Sequence, residues 1–418
     1  MPVLNNIQLF FTVAFLLVLL SYYALIFIKR DKPKIVDHFS SISVIMPAHN
    51  EEKYIAESIK SVLAAKFDGK KEVIIINDGS TDRTQDIIER FKSKDVKIIK
   101  TNHLGKAAAI NKALEIAQGE LIAIIDADSD IHEDALQELA KEVGRQGVAA
   151  ACGVVKVKNR NKFVCMWLHI ELVYNSFIRS LYTKINANVV TPGALSVYRA
   201  SVLKEIEGFS TKGFSEDMDV AIRIIRKGYK ISFSEDAISE TNMPYDPKGF
   251  FRQRTRFARG AIDILKRHLR LNKTSIDVYT LPLIFFTYTQ AIIMGSLTLY
   301  KIFSDYWLYF ASKGVFLSWY AVKFFIEWFS IVGFLHWTFD VFTGASPLTL
   351  LAAIGIASTF LTYPLFVIAI IKYDRKIDLR HIIPIVFMFP FWFLVMIVYT
   401  ICLPEYFKKD QYNKWEKN

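Results

Sequence analysis

Cysteine is scarce in this chain, which has only three in 418 residues: Cys152, Cys165 and Cys402. Three thiols at these separations can build neither a disulfide framework nor the paired spacing of a zinc site. The chain also lacks an internal repeat and any low-complexity stretch, which argues against a repeat protein. The low cysteine content fits a soluble part that lies in a reducing cytoplasm.

Charge and hydrophobicity are divided unevenly along the sequence. The net charge is +11, yet 52% of the residues are hydrophobic, too apolar for an ordinary soluble protein. Residues 7–28 form an apolar run long enough to span a bilayer. No small-residue cleavage site follows it, so we expect a retained anchor and not a signal peptide. The basic residues of 29–34 indicate that the next segment lies in the cytoplasm. Because basic residues concentrate at such membrane flanks, the net charge does not indicate nucleic-acid binding.

Four apolar segments near the C-terminus are candidate membrane spans: 279–303, 316–338, 348–371 and 382–403. The second carries Lys323 and Glu327 spaced i,i+4, and its alternative interpretation is an interfacial or re-entrant helix. The basic loop after the third span and the basic tail both favour the cytoplasm, which a single span between them cannot satisfy. We favour four spans, which leave the tail inside. The expected parts are an anchor, a soluble domain and a membrane region with three or four helices: 1–35, 36–275 and 276–418.

The soluble part alternates short β-branched runs with helical patterns. Four runs predict strands: 41–46, 72–76, 96–99 and 121–125. Such alternation is typical of βαβ units and a mainly parallel α/β sheet. The polar clusters that follow the strands then lie at one edge of the sheet, where open α/β folds bind ligands.

Three carboxylates follow the last of these strands at alternating positions: Asp126, Asp128 and Asp130. Side chains alternate along a strand, so the three would project together and repel one another unless a cation lay among them. Mg²⁺ is usually held by one or two carboxylates plus substrate phosphates. The pattern therefore predicts a metal–diphosphate site. The alternative is a solvated acidic turn in which Asp130 is the N-cap of the next helix.

The other clusters at this edge suit a nucleotide. Asp78 can accept a hydrogen bond from a base imide, and Glu51 from a base or a ribose. Gly105 and Lys106 open a helix, and helix N-termini attract anions such as a diphosphate. Asn50 is a candidate N-cap. Each signal alone has a plainer explanation, such as a turn or a surface charge, but the repeated order of strand, cluster and helix favours the nucleotide.

Three patterns in the second half of the soluble part each have two interpretations. Residues 163–186 are amphipathic and predict either an interfacial helix or a core-packing one. Glu216 and Asp217 precede a helical run, which predicts either helix capping or a general base near an acceptor hydroxyl. In 250–260, four arginines lie among aromatic residues. They predict either a helix on anionic lipid or a clamp that neutralises a diphosphate and stacks a ring on a sugar.

Taken in order, these motifs resemble those of the processive family 2 glycosyltransferases of the membrane, which include synthases of cellulose, chitin, hyaluronan and poly-N-acetylglucosamine. The resemblance covers residues 40–275 by motif and the whole chain by layout. It implies a GT-A glycosyltransferase domain with a Rossmann-like, mainly parallel sheet, joined to an α-helical transmembrane region. It also implies a multi-pass protein of the cell membrane with a cytoplasmic catalytic domain, a UDP-sugar donor, and Mg²⁺ or Mn²⁺.

The resemblance assigns donor and metal roles to individual residues. The residues expected to bind the UDP-sugar are Pro47, Ala48, Asn50, Glu51, Asp78, Lys106, Asp126, Gln253 and Arg256. Asp126 and Asp128 match the Asp-x-Asp motif of the family, with Asp128 as the principal metal ligand. Asn77 replaces the first aspartate of the family's Asp-Asp pair, which leaves Asp78 as the expected uracil contact.

The resemblance also assigns catalytic and acceptor roles. The segment Ser215-Glu216-Asp217 matches the family's Thr-Glu-Asp, so Asp217 would be the catalytic base, beside Glu216. The expected acceptor-binding residues are Thr191, Gly193 and Phe257. Phe257 stands where the family's Gln-x-x-Arg-Trp motif has tryptophan, which keeps a ring for the sugar but removes the indole N–H.

The implied reaction is inverting transfer of a hexose from a UDP-sugar onto a growing β-linked polysaccharide, coupled to movement of the polymer across the membrane. The loop 191–199 is closer to those of hyaluronan and chitin synthases, which favours UDP-N-acetylglucosamine. The alternatives are transfer of one sugar to a membrane lipid, and a catalytically silent transporter or scaffold. The expected partners are the donor, a polysaccharide or lipid acceptor and membrane lipids. The need for an accessory subunit stays open.

Overall fold

A computed structural model describes residues 2–31, 33–270, 273–314, 318–374 and 377–407 of the chain. Expectations that rest on other residues lie outside the described residues. They include those on Lys32 of the first basic flank, on the basic loop at 375–376 and on the tail at 408–418.

The first helix, α1, spans Pro2–Phe27, and eight strands follow that form one sheet. The strands are β1 (Ser41–Ala48), β2 (Lys70–Asp78), β3 (Val96–Thr101), β4 (Leu121–Ile124), β5 (Ser129–Ile131), β6 (Val148–Val157), β7 (Ser196–Arg199) and β8 (Lys230–Thr241). Their order across the sheet is β3-β2-β1-β4-β7-β6-β8-β5. The first four run parallel, and so do β6 and β8, whereas β7 and β5 run antiparallel to their neighbours. The predicted mainly parallel α/β sheet is confirmed.

Helices connect the strands and cover both faces of the sheet. They are α2 (Ile55–Ala64), α3 (Thr84–Glu89), α4 (Lys106–Leu114), α5 (Ala135–Val143), α6 (Phe163–Thr183), α7 (Ala200–Glu205), α8 (Glu216–Arg226) and α9 (Pro247–His268). Because side chains alternate along a strand, Val44 and Met46 of β1 pack on one face with Ile59 of α2. Ile45 packs on the other face with Ile110 of α4. With both faces covered, the strand ends are left as the place for a ligand.

Two expectations about helix starts are wrong. Asn50 is not an N-cap, since α2 begins at Ile55 and Asn50 has a left-handed φ of 55°. Asp130 is not one either, because it lies within β5 and α5 begins at Ala135. Instead of capping a helix, Asn50 accepts a hydrogen bond from Thr81 and Asp130 forms an ion pair with Lys158.

The amphipathic segment 163–186 forms α6, and the structure favours the core-packing interpretation. Val173 and Phe177 of α6 are buried in one apolar cluster with Val154 of β6. The same cluster contains Leu365 and Ala369 of a C-terminal helix, so α6 lies between the sheet and the apolar end of the chain.

The described residues of the C-terminal part are mostly helical. After a π-helical turn at Ile276–Thr280 come α10 (Leu281–Lys313), α11 (Trp319–Phe329), α12 (Ile331–Thr343), α13 (Leu350–Asp374), α14 (Leu379–Val386) and α15 (Met388–Cys402), and a 3₁₀ turn at Leu403–Phe407. Three helical stretches of the described residues are long and apolar enough to cross a membrane: Asn5–Phe27, Ile276–Ser312 and Leu350–Asp374. The pair α14 and α15, bent by 59°, makes a fourth if it is one broken span.

The expectation of four spans after residue 278 is corrected at 316–338. There the described residues form α11 and α12, of 11 and 13 residues, which meet at the extended residue Ser330. At 1.5 Å per residue each is shorter than the roughly 30 Å hydrocarbon core. The described C-terminal residues thus offer two spans, or three with the bent pair. The interfacial or re-entrant interpretation of this segment stays a prediction.

Candidate active site

The carboxyl ends of β1 to β4 lie side by side, and the buried Asp78 ties two of their loops together. Its Oδ1 accepts hydrogen bonds at 2.7 Å from the Thr101 hydroxyl and from the backbone N–H of Leu104. Its Oδ2 accepts from the N–H of Gly105 at 2.8 Å. Asp78 therefore shapes the loop that leads into α4, beneath the edge of the sheet. A contact between this carboxylate and uracil stays a prediction.

The turn after β1 is tied to the turn after β2. Asn50 Oδ1 accepts from the N–H of Thr81 at 2.8 Å, and the N–H of Glu51 donates to Thr84 Oγ1 at 2.8 Å. Pro47 and Ala48 are buried in the last residues of β1. The expected nucleoside residues of this turn thus form one cross-linked corner of the sheet edge.

At the centre of this edge an ammonium group lies between two carboxylates. Lys106 Nζ is 2.6 Å from Asp126 Oδ1 and 3.2 Å from Glu216 Oε1. Lys106 opens α4 and Glu216 opens α8, so two helix N-termini with their positive ends meet here. Gly193 closes the group: its carbonyl accepts from the N–H of Asp126 at 2.9 Å. A Cβ on Gly193 would lie 2.5 Å from Lys106 Nζ, so any larger residue there would displace the ammonium from its present position.

The ionisable groups of this centre titrate differently from free side chains. Burial opposes the charge of Lys106, but the Asp126 and Glu216 carboxylates outweigh it and raise the Lys106 pKa. Burial also opposes ionisation of Glu216, yet Lys106 lowers the Glu216 pKa. Burial and then the Glu216 carboxylate raise the pKa of Asp217 to about 6. Two adjacent carboxyl groups whose pKa values are driven apart are typical of general acid–base sites.

Asp217 is held at the start of α8 by the loop that precedes β7. The Thr191 hydroxyl donates to the backbone carbonyl of Asp217 at 2.9 Å. The carboxylate itself accepts from the N–H of Met218 at 2.9 Å. Thr191 is buried, so in this structure it fixes the position of Asp217 and does not face solvent. Its contact with an acceptor stays a prediction.

The three aspartates after β4 do not gather as expected. Both carboxylate oxygens of Asp130 have other partners, since one forms an ion pair with Lys158 and the other accepts from the Ser58 hydroxyl at 3.3 Å. Asp128 Oδ1 accepts from the Thr241 hydroxyl at 3.4 Å, while Asp126 lies in the centre itself. The prediction of three carboxylates around one cation is wrong for Asp130. Asp126 and Asp128 are half-buried and remain the candidate ligands. Their oxygens suit Mg²⁺ or Mn²⁺, and the Lys106 ammonium beside Asp126 already occupies a position that a cation favours.

Helix α9 carries the remaining predicted residues. Arg256 and Phe257 are exposed, and the Arg256 guanidinium lies 5.7 Å from the centre of the Phe257 ring. The positive charge of Arg256 lowers the pKa values of Lys106, Glu216 and Asp217. Arg256 is therefore close enough to the centre to influence its ionisation. Gln253 is half-buried, and its Nε2 contacts the sulfur of Met243 at 3.1 Å. The structure thus brings Arg256 to the centre, while the described contacts of Gln253 lie elsewhere.

A sequence model described as "Glycosyl transferase family 2" matches residues 43–207, which include Lys106, Asp126 and Gly193. The chain contains a family 2 glycosyltransferase domain. Among curated proteins it is similar to the probable glycosyltransferase YdaM of Bacillus subtilis, with 29% identity over 280 residues, 62% of this chain and 66% of that protein. It is also similar to the poly-beta-1,6-N-acetyl-D-glucosamine synthase of Staphylococcus aureus, with 27% identity over 245 residues, 57% of this chain and 59% of the synthase. The chain therefore matches less than two thirds of the length of either relative.

A solved structure shares the fold of the glycosyltransferase domain and of the helices that follow it. The mannosyltransferase PcManGT from Pyrobaculum calidifontis, solved in complex with GDP-Man and Mn²⁺, superposes with a TM-score of 0.61. The match covers 97% of this chain and 99% of that one at 17% sequence identity, which supports a common fold and nothing narrower. The predicted GT-A fold is confirmed.

The tightest set of metal-type ligands in the described part of the chain lies outside the centre of the glycosyltransferase domain. His169, Asp374 and His381 place ligand atoms within 4.8 Å of one another. The N–H of Val157 donates to His169 Nδ1 at 3.3 Å, and His169 Nε2 lies 2.5 Å from an Asp374 oxygen and 3.2 Å from Arg160 Nη1. Lys156 also lies 3.0 Å from Asp374. Cationic side chains already neighbour the Asp374 carboxylate, and its contacts with His169 and His381 join α6, α13 and α14.

Sequence reasoning missed the most buried charge of α9 in the glycosyltransferase domain. Arg254, between the predicted residues, is 3% exposed and forms a bidentate ion pair with Glu171 of α6. The signal available was a glutamate within the apolar pattern of 163–186, but its partner lies 83 residues further along the chain. No local pattern connects two such positions.

Proposed function

We propose that the chain transfers N-acetylglucosamine from its UDP-sugar to a growing β-linked polysaccharide, with inversion, at the cytoplasmic face of the membrane. The observation that carries the proposal is the centre in which Lys106, Asp126 and Glu216 meet beside Asp217, whose pKa is raised to about 6. The similarity to a poly-beta-1,6-N-acetyl-D-glucosamine synthase supports the donor and the polymer.

In this proposal the charges of the centre bind the donor. Lys106 and the exposed Arg256 offset the negative charge that grows on the leaving UDP. Asp126 and Asp128 would hold Mg²⁺ or Mn²⁺, which supplies further positive charge at the diphosphate when bound. Both helix N-termini at the centre add a favourable potential for an anion.

Asp217 is the proposed general base. It takes the proton from the acceptor hydroxyl, which attacks the anomeric carbon from the face opposite UDP. A carboxylate whose pKa is near the working pH is well matched to this task, and one general base contributes about 10²–10⁴-fold in rate. Phe257, exposed beside Arg256, offers a ring for the acceptor sugar. The membrane helices would line the route of the polymer.

A second candidate is transfer of one sugar to a membrane lipid. It is favoured by phenylalanine at position 257, where the processive enzymes have tryptophan, and by the limited membrane part of the described chain. Both candidates use the same donor chemistry and differ in the length of the product.

The test uses the full-length protein purified in lipid nanodiscs with a panel of UDP-sugars and Mg²⁺ or Mn²⁺. We expect UDP release with UDP-N-acetylglucosamine and a long labelled polymer. Asp217→Asn should bind UDP as wild type does, while turnover falls about 10²–10⁴-fold. A single sugar on extracted lipid would favour the second candidate. Absence of UDP release with every donor, or full turnover by the variant, would contradict the proposal.

A further inference from the structure

Arg254 of α9 is buried, although the neighbouring motif residues Arg256 and Phe257 are exposed. Its Nη1 donates to Glu171 Oε1 at 2.5 Å, and its Nη2 donates to Oε2 at 2.6 Å. The planar guanidinium and the carboxylate thus form the two-pronged contact that fixes orientation as well as distance. Glu171 is only 8% exposed, so the whole pair is removed from solvent.

Three aromatic rings surround the guanidinium of Arg254. Its carbon lies 5.3 Å from the ring centres of Phe250 and Phe257 and 5.5 Å from that of Phe391. Such distances allow attraction between the cation and each ring. Phe257 is 42% exposed, so part of its ring faces solvent, while the buried Arg254 guanidinium lies beside the ring. Because Phe391 belongs to α15, the same contact joins α9 to a membrane segment.

The opposite half of α9 has a separate attachment to α8. Asp219 accepts from Arg267 Nη1 at 2.6 Å and contacts His268 Nε2 at 2.8 Å. Midway along α9, a Cβ on Gly260 would come within 2.1 Å of the Ser215 hydroxyl, so the helix lies directly on the start of α8. The half that carries Arg256 and Phe257 is attached to α6 by the Arg254 pair and by the burial of Phe250 in an apolar cluster with residues of α6.

We propose that the Glu171–Arg254 ion pair is a positioning element for the acceptor platform, holding the Phe257 ring and the neighbouring Arg256 at the centre. The inference rests on the proposed function, which places an acceptor sugar on Phe257. Glu171 and Arg254 touch neither substrate. Their role is to fix the rotation of α9 against α6, so that the ring of Phe257 meets the sugar face.

Stability alone does not account for this pair. A buried ion pair often contributes no more than well-packed apolar residues of the same volume, whereas loss of one partner leaves an uncompensated charge. Replacement of both partners by apolar residues therefore separates a role in stability from a role in positioning Phe257 and Arg256. It preserves packing and removes both the two-pronged contact and the support of the Phe257 ring.

The test compares wild type with the double variant Glu171→Leu/Arg254→Met and with Arg254→Lys, as full-length protein in nanodiscs. The matched control is Arg30→Met/Glu142→Leu, which removes an ion pair of 2.8 Å that involves neither α6 nor α9. Four quantities are measured: the midpoint of thermal unfolding, UDP affinity, the KM for N-acetylglucosamine oligosaccharides, and product length.

For the apolar double variant we expect an unfolding midpoint close to that of wild type, UDP affinity within about twofold, and an acceptor KM raised about tenfold with shorter products. Arg254→Lys should show the same split, because lysine cannot make the two-pronged contact. The control should retain the acceptor KM.

An unchanged acceptor KM and product length in a folded double variant would overturn the inference. So would an equal loss of UDP affinity and acceptor binding, since that describes a general disturbance of the site. Wild type that transfers no sugar would overturn the proposed function and this inference with it, whereas the other two outcomes overturn this inference alone.

Discussion

Glu216 and Asp217 are adjacent, yet their surroundings move their pKa values in opposite directions. Lys106 lies 3.2 Å from Glu216, which keeps that carboxyl ionised. For Asp217, burial and then the Glu216 carboxylate outweigh the opposing effects of Lys106 and Arg256 and raise the pKa to about 6.

The first residue-scale prediction concerns the pH dependence of transfer. A base acts only when deprotonated, so kcat/KM should fall as the pH drops through about 6, the pKa of Asp217. Glu216→Gln removes a negative neighbour, lowers the Asp217 pKa and should move this acid limb to lower pH, whatever it does to the maximal rate. The control is Glu133→Gln, an exposed glutamate paired with Lys66. If the acid limb of the kcat/KM profile stayed at the same pH or moved to higher pH in Glu216→Gln, the limb would report the titration of a group other than Asp217.

The second residue-scale prediction concerns Gly193. In Gly193→Ala, the new Cβ would lie 2.5 Å from Lys106 Nζ and 2.8 Å from Asp126 Oδ1. The lysine end can move aside, so we expect a folded protein whose Lys106–Asp126 pair is displaced. Because Lys106 and Asp126 belong to the proposed donor site, we expect their displacement to weaken UDP binding about tenfold, which corresponds to about 1.4 kcal/mol of binding free energy.

Calorimetric titration with UDP checks this effect of Gly193→Ala. Gly355→Ala is the control, because among the described residues the Cβ it would add meets no atom within 4 Å beyond its chain neighbours and the backbone of its own helix. Equal UDP affinity in the two variants would show that the close approach at Gly193 is not needed for the donor.

At the scale of elements, the sequence was sufficient where the pattern is local. Four apolar runs identified β1 to β4, and the polar residues after them do lie at one edge of the sheet. The parallel order followed from their alternation with helices. Lys106, Asp126 and Glu216 could be selected because each stands at the end of a strand or the start of a helix.

Sequence reasoning failed where a side chain is used by a distant partner. The spacing of Asp126, Asp128 and Asp130 predicts one cluster, but Asp130 forms an ion pair with Lys158, on the segment after β6. The apolar composition of 316–338 predicts one membrane span, because composition does not distinguish a continuous helix from two short ones. The extended Ser330, which separates α11 from α12, carries no local signal such as proline or glycine.

The attachment of α9 to α8 leads to a prediction about acid stability. Burial opposes ionisation of Asp219, yet His268 and the arginines 223 and 267 lower its pKa to about 2. An unfolded aspartate titrates near 3.8. The stabilisation is therefore complete above about pH 4 and is lost as the pH falls from there towards 2. Its size is about 2 kcal/mol, since one pKa unit corresponds to about 1.4 kcal/mol.

Thermal unfolding of Asp219→Asn checks this expectation. The variant should unfold at a lower temperature than wild type at pH 7, and the difference should shrink between pH 4 and pH 2. Asp236→Asn, at an exposed position of β8, is the control. A difference that is independent of pH in this window would show that the charge of Asp219 is not what stabilises the helix pair.

At the scale of the whole molecule, polar contacts join the sheet domain to the apolar helices. Lys184 Nζ, just after α6, donates to the carbonyls of Leu25 and Ile26 at the end of α1, at 2.7 and 3.0 Å. Asp374, the last residue of α13, accepts from His169 of α6 and contacts Lys156 of β6. Polar contacts thus attach the sheet domain to α1 and to the end of α13.

The pairing of α1 with α13 also bears on the order in which the protein is made. The Tyr23 hydroxyl donates to the carbonyl of Leu361 at 2.8 Å, and the two residues are 338 positions apart. During translation the N-terminal helix is completed first and the sheet domain follows, and domains generally fold as units as they emerge. The helix that α1 packs against is synthesised only after most of the chain. The catalytic centre can therefore form on the nascent chain before α13, one of the helices that α1 contacts, has been synthesised.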